Sequence, residues 1–191
     1  MKITQNDDKI NPHKTIKNIK TNNISLIALN IRSSQNVGSF FRTSDAMGIN
    51  HIYIVGYTPS PIDKFKRPDT AIVKTALGAE KSVPYSQHKT LSPLLKKLKK
   101  ENYTILALEQ ASNSVDYRKI NKVLKSKTQL GGPTPKLVKI ALILGNEVTG
   151  VPSSVLKNVD HIIEIPMRGI KESLNVSVAA GIALSELTRD F

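Results

Sequence analysis

A short apolar run that ends in a polar turn, Lys139-Ile-Ala-Leu-Ile-Leu144 followed by Gly145-Asn146-Glu147, shows the pattern that repeats along this chain of 191 residues. The length of the run favours a buried strand over a helix. Runs of the same kind predict further strands at residues 24–29, 51–55, 103–108 and 161–165. Because helical segments lie between these strands, the sequence predicts an α/β fold with a mostly parallel sheet flanked by helices.

Helical spacing of apolar residues marks the segments between the strands. Residues 39–47 place Phe40, Phe41 and Ser44 at helical spacing, whereas residues 32–38 have the composition of a turn. Further helices are predicted at 69–77, 90–100, 153–157 and 174–187. The last of these is apolar around much of its circumference, which predicts either core packing or a dimer interface.

The charge of the chain favours a polyanionic partner. Lys and Arg together number 28 against 15 Asp and Glu, which gives a formal net charge of +13. This excess favours nucleic acid over a basic surface that only serves solubility. The densest run of basic residues is a candidate for phosphate contact, although such runs are more often simply solvated: Arg118, Lys119, Lys122, Lys125, Lys127, Lys136 and Lys139.

Several classes of function are excluded by missing residues. The chain has no Cys, so thiolate zinc sites, disulfides and Cys nucleophiles are excluded, and the four His lie too far apart for a local metal motif. We expect no metal. Neither GxGxxG nor the P-loop pattern occurs. Because no apolar stretch is long enough for a signal peptide or a membrane span, we expect a cytoplasmic protein.

Polar residues follow three of the predicted strands. They are Asn36 with Arg42, then Gly145-Asn146-Glu147, and finally Ser173 with Asn175. In parallel α/β sheets, ligands bind at the carboxyl ends of the strands. The three clusters can therefore converge on one site.

Three stretches carry a resemblance to a known family. They are Asn36-Val-Gly-Ser-Phe-Phe-Arg-Thr-Ser-Asp-Ala-Met-Gly48, Leu144-Gly-Asn-Glu-Val-Thr-Gly-Val151 and Ile165-Pro-Met-Arg-Gly-Ile-Lys-Glu-Ser-Leu-Asn-Val-Ser-Val-Ala-Ala-Gly181. Together with Lys74-Thr-Ala-Leu-Gly-Ala-Glu80, they resemble the ordered motifs of the SpoU/TrmH branch of the SPOUT RNA methyltransferases. The resemblance spans residues 24–189, and residues 1–23 are interpreted as a basic N-terminal extension.

The resemblance implies a fold, a reaction and partners. The fold would be a SPOUT domain over residues 24–191 with a C-terminal trefoil knot, which the general rule against knotted chains would not have predicted. The activity would be transfer of a methyl group from S-adenosylmethionine to a ribose 2′-hydroxyl of tRNA or rRNA by a homodimer. A non-catalytic RNA-binding protein and an RNA base methyltransferase are the alternatives.

The resemblance also implies a set of cofactor contacts, made largely by backbone groups. Glycines suit such contacts because they let a ligand approach the main chain closely. The alternative for each residue is ordinary loop and core structure. The residues are Leu108, Glu109, Leu144, Gly145, Asn146, Gly150, Ile165, Met167 and Leu174.

Arg42 is the residue that the resemblance places at the ribose, supplied across the subunit interface. A guanidinium group loses its proton in water only above about pH 12, which makes it an awkward general base. Two roles therefore remain open. Arg42 either loses a proton in a special environment, as the family is commonly described, or stays charged, grips the adjoining phosphate and stabilises the developing alkoxide, which the chemistry favours.

The other predicted catalytic residues each have a structural alternative. Asn36 can hold Arg42 or the ribose, or it can be a turn former. Glu147 can pair with an incoming Arg or a ribose hydroxyl, or it can be a carboxylate at a helix N-terminus. Ser173 and Asn175 position the ribose or cap the last helix. The predicted RNA-binding residues are Arg32, Arg42, Arg118, Lys119, Lys122, Lys125, Lys127 and Arg168.

Overall fold

A seven-stranded sheet forms the centre of the protein, whose computed structural model describes residues 23–128 and 138–189. The strands are β1 (Asn23–Leu29), β2 (His51–Val55), β3 (Tyr85–His88), β4 (Tyr103–Leu108), β5 (Val115–Asp116), β6 (Lys139–Leu144) and β7 (His161–Glu164). The helices are α1 (Ser34–Ala46), α2 (Thr70–Ala76), α3 (Ala79–Ser82), α4 (Leu91–Lys100), α5 (Ile120–Thr128), α6 (Ser153–Leu156) and α7 (Val176–Thr188). The predicted α/β architecture is confirmed.

The strand order places the ends of distant segments side by side. Across the sheet the order is β3-β2-β1-β6-β4-β7-β5, and every neighbouring pair is parallel. Leu144 of β6 is level with Ala28 of β1 on one side and with Leu108 of β4 on the other. The loops that leave the carboxyl ends of these strands therefore start at one edge of the sheet.

Apolar layers cover both faces of the sheet. On one face, Phe40, Ile72 and Leu184 belong to a core formed by the sheet with α1, α2 and α7. On the other face, the leucines of α4, including Leu94 and Leu98, pack against the sheet. The central strand β6 is buried on both faces, which is why its sequence is an unbroken apolar run.

Helix α1 begins five residues earlier than the sequence predicted. Residues 34–38 were predicted as turn, but they form its first turns. Ser33 caps the helix, since its hydroxyl accepts a hydrogen bond from the N–H of Asn36 (3.3 Å). Gly38 is inside the helix because α2 approaches it closely: a Cβ there would lie 2.8 Å from the carbonyl oxygen of Ile72. The turn-like composition thus reflects capping and helix packing.

The basic segment after residue 117 also differs from the prediction. The sequence predicted only a run of basic residues there and no helix, but Ile120–Thr128 forms helix α5 with Ile120 and Leu124 buried in the core. Strands β3 and β5 and helix α3 were missed as well, because they are short and lack an apolar run. Residues 1–22 and 129–137, with Lys136, lie outside the described residues.

The described residues, 23–128 and 138–189, contain neither a candidate membrane span nor a candidate metal cluster. Within them, no helix combines the length and the apolar character needed to cross a bilayer. In the same residues, no three His, Asp or Glu side chains lie close enough together to hold a metal ion.

Candidate active site

A cavity of about 280 Å³ lies at the carboxyl ends of β4, β6 and β7. We call it the inner cavity. Its walls come from the loops after these strands and from the start of α7, and they include every residue that the sequence predicts for the cofactor. It is lined by Leu108, Glu109, Gln110, Leu144, Gly145, Asn146, Glu147, Val148, Gly150, Glu164, Ile165, Met167, Ser173, Leu174, Asn175, Val176 and Ala179.

The loop after β6 is folded tightly against its own end. A Cβ on Gly145 would overlap the main chain of Gly150 and lie 2.5 Å from the nitrogen of Val151. Gly150 has a φ of +64° and packs against the carboxylate of Glu109, which also accepts a hydrogen bond from the N–H of Val151 (2.7 Å). Only glycine fits these two positions without displacing backbone. The loop therefore keeps one conformation beside the inner cavity.

Hydrogen bonds of the Asn146 side chain also hold this loop in place. Its side-chain oxygen accepts hydrogen bonds from the N–H groups of Val148 (2.8 Å) and Thr149 (3.0 Å). Its amide nitrogen donates to the carbonyl of Asn30 and to the hydroxyl of Tyr57, both at 2.9 Å. The side chain is thus used inside the fold, and what Asn146 presents to the cavity is main chain.

A second depression lies next to the inner cavity, and we call it the outer depression. Arg32, Ser33, Ser34, Gln35, Asn36, Ala71, Glu147 and Asn175 line it. Three of its side chains are joined in a row: the amide of Asn175 donates to the oxygen of Asn36 (3.2 Å), whose own amide donates to Glu147 (2.9 Å). Residues from three distant stretches, all predicted as catalytic, therefore meet at one place.

Glu147 lies at the N-terminus of helix α1. Its carboxylate accepts hydrogen bonds from the N–H groups of Arg32 (2.9 Å) and Ser33 (3.1 Å) in addition to the Asn36 amide. Burial raises the pKa of this carboxyl, but the N–H of Arg32 and the other donors outweigh burial, so the pKa lies below its ordinary value. The geometry matches the helix-terminus alternative, and Glu147 is charged at neutral pH.

Asn175 caps helix α7, as the structural alternative predicted. Its side-chain oxygen accepts a hydrogen bond from the N–H of Ser177 (2.8 Å), while its amide nitrogen reaches Asn36. The capping role and a place at the outer depression thus coexist in one side chain. Ser173 lines the inner cavity and is exposed.

Arg42 lies apart from the other predicted catalytic residues. It follows Asn36 by six residues on α1, which places it about 9 Å further along the helix and about 120° around it. Its side chain is exposed and makes neither a hydrogen bond nor an ion pair with the described residues. It lines neither the inner cavity nor the outer depression. Asn36 therefore does not hold Arg42 within one chain.

The predicted RNA-binding residues differ in whether their charged side chains are already paired within the chain. Arg32 lines the outer depression, and Arg168 is exposed in the loop after β7. Arg118 is held by Asp116 through its Nε (2.9 Å) and a second contact, and this guanidinium lowers the pKa of the Asp116 carboxyl to about 2. Lys119 and Lys122 are exposed, whereas the side chains of Lys125 and Lys127 lie outside the described part.

Sequence reasoning missed some residues of the site. Gln110 directly follows the end of β4, and its amide donates to the carbonyl of Glu172 (2.7 Å), which ties together two walls of the inner cavity. Its position after a strand was the available signal. Tyr57 and Ser34 gave no such signal in the sequence. The Tyr57 hydroxyl accepts a hydrogen bond from Asn146, and Ser34 lines the outer depression from the start of α1.

The donor set of the inner cavity fits a nucleoside-like ligand. Leu108, Leu144, Ile165 and Leu174 offer an apolar surface to a flat ring. Residues with polar side chains also line the cavity, among them Glu109, Gln110 and Glu164. The volume lies near the lower end of the range of small-molecule sites, about 300–1,000 Å³.

Two curated RNA methyltransferases are similar to this chain in sequence. The 23S rRNA (guanosine-2′-O-)-methyltransferase RlmB of Neisseria meningitidis serogroup B is 28% identical over 187 residues, which are 98% of this chain and 66% of that protein. The tRNA (guanosine(18)-2′-O)-methyltransferase of Escherichia coli K12 is 30% identical over 159 residues, 83% of this chain and 60% of that protein. The chain thus spans less than two thirds of the length of these curated relatives.

A solved structure has the same fold. The AdoMet-bound rRNA methyltransferase of Sinorhizobium meliloti matches with a TM-score of 0.71 and 24% identity, over 88% of this chain and 57% of that one. A sequence model of the SpoU rRNA Methylase family matches residues 23–185, which include all three stretches that meet at the site. The chain therefore belongs to the SpoU rRNA methylase family.

Proposed function

We propose that this protein transfers a methyl group from S-adenosylmethionine to a ribose 2′-hydroxyl of tRNA or rRNA. The observation that carries the proposal is the row of hydrogen bonds from Asn175 through Asn36 to Glu147, which lies between the inner cavity and the outer depression. The family and the printed activities of the RlmB and tRNA methyltransferase relatives support it.

The inner cavity is the proposed place of S-adenosylmethionine, which would supply a methyl group on a positively charged sulfur. The apolar side chains of Leu108, Leu144 and Ile165 would contact the adenine, and the fixed main chain at Gly145 would present backbone donors and acceptors. The AdoMet-bound state of the Sinorhizobium meliloti protein, which has the same fold, supports S-adenosylmethionine as the cofactor.

The outer depression is the proposed place of the target ribose. Asn36 and Asn175 would orient its hydroxyls, since an amide both donates and accepts. Because orientation converts a bimolecular step into an effectively unimolecular one, such positioning supplies much of the rate. The negative charge of Glu147 fixes Asn36 and the start of α1, and with them the wall against which the sugar would lie.

Arg42 is proposed to reach the outer depression from a second copy of the chain. Its position on α1, turned away from Asn36, keeps it out of its own depression. Exposed apolar side chains near the inner cavity, Ile170 (99% exposed), Leu174 (41%) and Val178 (51%), are of the kind that a dimer interface covers. We therefore propose a homodimer in which each site has residues from both subunits.

The charged form of Arg42 fits this arrangement. The charged guanidinium would grip the phosphate adjoining the target ribose and stabilise the developing alkoxide. S-Adenosylmethionine held in the inner cavity would supply the methyl group to the ribose oxygen, and the hydroxyl proton would leave to solvent. The alternative role of Arg42, as a general base, would require a site that removes the guanidinium proton.

Substrate recognition is proposed to rest on the basic surface of the domain. The net charge of +13 suits a polyanion. The basic extension at 1–23, the SPOUT domain from 24 onward, the trefoil knot and a cytoplasmic location remain proposals that the family resemblance supports. Residues 1–22 lie outside the described residues.

One experiment separates the candidate functions. The protein is incubated with methyl-labelled S-adenosylmethionine and RNA from cells that lack it, and the RNA is digested to nucleosides. We expect label on a 2′-O-methylnucleoside. Label on a base would indicate a base methyltransferase, and the absence of both label and a saturable heat of S-adenosylmethionine binding would indicate a non-catalytic RNA-binding protein.

A further inference from the structure

The connection between β2 and α2 forms a small hairpin that the proposed site does not use. We call residues 61–69 the basic hairpin. Ile62 and Pro68 form an isolated antiparallel bridge, and the N–H of Asp63 donates to the carbonyl of Arg67 (2.9 Å). Its tip carries Lys64, Phe65, Lys66 and Arg67 in succession.

The tip of the basic hairpin is held in one conformation. The carboxylate of Asp63 accepts hydrogen bonds from the N–H of Phe65 (2.8 Å) and from the N–H and Nε of Arg67 (both 2.9 Å). Lys66 has a φ of 62°, a left-handed conformation that costs free energy for a residue other than glycine. The surrounding hydrogen bonds maintain this conformation, so the tip does not need a partner to become ordered.

Phe65 is the most unusual residue of this tip. Its side chain is 65% exposed, although apolar aromatic residues are normally buried. The Nζ of Lys64 lies 4.9 Å and the guanidinium carbon of Arg67 lies 5.0 Å from the ring centroid. An exposed ring close to two cations is suited to a partner that is both flat and negatively charged.

Both ends of the connection are fixed at the walls of the proposed site. At the start, the hydroxyl of Thr58 accepts a hydrogen bond from the N–H of Ile31 (2.9 Å), and the neighbouring Tyr57 hydroxyl accepts from Asn146. At the end, the carboxylate of Asp69 accepts from the hydroxyl of Ser34 (2.8 Å), which lines the outer depression. The basic hairpin therefore extends from the rim of the outer depression.

We propose that the basic hairpin binds an unpaired nucleobase of the RNA by stacking on Phe65, while Lys64 and Lys66 contact the flanking phosphates. This inference rests on the proposed function, and it specifies a single-stranded segment of RNA next to the methylated nucleotide. Stacking on an aromatic side chain accepts every base, because each base has a π face.

The two cations at the ring have different roles in this arrangement. Arg67 is fixed by its ion pair with Asp63 (2.9 Å) and stays beside the ring. Lys64 forms no ion pair within the described residues and can leave the ring when a base arrives. A lysine that leaves the ring is free to neutralise a neighbouring phosphate.

The test uses two labelled probes of the same length, an oligouridylate of about 12 nucleotides and its abasic counterpart, which keeps sugar and phosphate but has no bases. The wild-type chain should bind the oligouridylate more tightly. Phe65→Ala should weaken that binding about 10- to 100-fold and leave abasic binding unchanged, since the loss of one base–aromatic stack has about this effect. Phe65→Trp should retain the affinity and Phe65→Leu should not.

Lysine variants test the phosphate contacts. Lys64→Gln with Lys66→Gln should weaken binding of both probes and reduce the slope of log affinity against log salt by about 1.4, or about 0.7 for each phosphate on a single strand. The control pair, Lys96→Gln with Lys100→Gln, removes two exposed charges from α4, which packs on the other face of the sheet, and should change little.

Several results would overturn the inference. They are equal affinity of the wild type for both probes, an equal loss on both probes in Phe65→Ala, full affinity in Phe65→Leu, or an unchanged slope in the lysine pair. Dissociation of Phe65→Ala into monomers during sedimentation would assign the ring to a subunit contact instead. These outcomes are distinct from a failure of the proposed function, which is the absence of methyl transfer by the wild type.

Discussion

The inner cavity and the outer depression lie side by side, but they are built in different ways. Around the inner cavity, Glu109 and Asn146 are bonded within the fold and Gly145 packs against main chain, so a single chain completes the walls. The outer depression is shallow, its Arg32 and Glu147 are exposed, and Arg42 lies elsewhere. The difference fits the proposed function, in which the walls of one chain hold the cofactor and a second copy of the chain brings Arg42 to the sugar.

The largest effect should come from Arg42, which does not line the outer depression of its own chain. We expect Arg42→Ala to lower methyl transfer by about 100- to 1,000-fold, because it removes the charge that is proposed to stabilise the developing alkoxide. Heat of S-adenosylmethionine binding should be unchanged, since Arg42 does not line the inner cavity. Full turnover in this variant would show that the residue has no part in the reaction.

A substitution in the wall of the inner cavity should instead lower both the stability of the fold and the binding of S-adenosylmethionine. Gly145→Ala forces a Cβ against the main chain of Gly150, so we expect the free energy of unfolding to fall by about 1–3 kcal/mol. Heat of S-adenosylmethionine binding should be lost as well. Gly169→Ala is the matched control, because nothing lies within 4 Å of a Cβ there. Equal effects at both glycines would contradict a closely packed cavity wall.

Glu147 connects the two regions, and its charge should be visible in the pH dependence of stability. The folded pKa lies below the unfolded value, so this stabilisation is present above the unfolded pKa of about 4.3 and is lost as the pH falls through the folded pKa. Thermal unfolding should therefore show a gap between wild type and Glu147→Gln at neutral pH. A gap that stays constant down to about pH 3 would contradict the linkage.

The smallest effects should come from charges outside both regions. Lys119→Gln with Lys122→Gln should reduce RNA affinity a few-fold and lower the salt slope by up to about 1.8, or about 0.9 for each phosphate on a duplex. Arg118→Gln should change the slope less, because Asp116 already pairs with that guanidinium. Salt titrations of RNA binding measure both, and a larger effect of Arg118 would contradict the ranking.

Sequence patterns predicted the inner cavity better than the outer depression. The apolar run of β6 and the turn after it fix the position of Gly145 because strand ends of a parallel sheet share one edge. Every residue predicted for the cofactor lines that cavity, although contact with a ligand stays a prediction. In contrast, the row from Asn175 to Glu147 depends on long-range packing, and no local pattern specifies which side chains meet.

The missed elements have physical explanations. Strand β3 is an edge strand of four residues with only partial burial, so its sequence need not be apolar. The start of α1 resembles a turn because Ser33 caps the helix, the side chain of Asn36 is bonded to Glu147, and Gly38 allows close contact with α2. Helix α5 was hidden by the density of lysines in its sequence, although Ile120 and Leu124 reach the core.

The most direct test of a site shared between two subunits mixes two inactive variants. Arg42→Ala and Asn36→Ala subunits are combined in equal amounts, and methyl transfer is measured after exchange. If Arg42 acts in the partner's outer depression, half of the dimers are hybrids with one complete site of two, and activity returns to about a quarter of the wild-type value. Activity that stays at the level of the separate variants would contradict the account, because it would place Arg42 and Asn36 in the same chain's site.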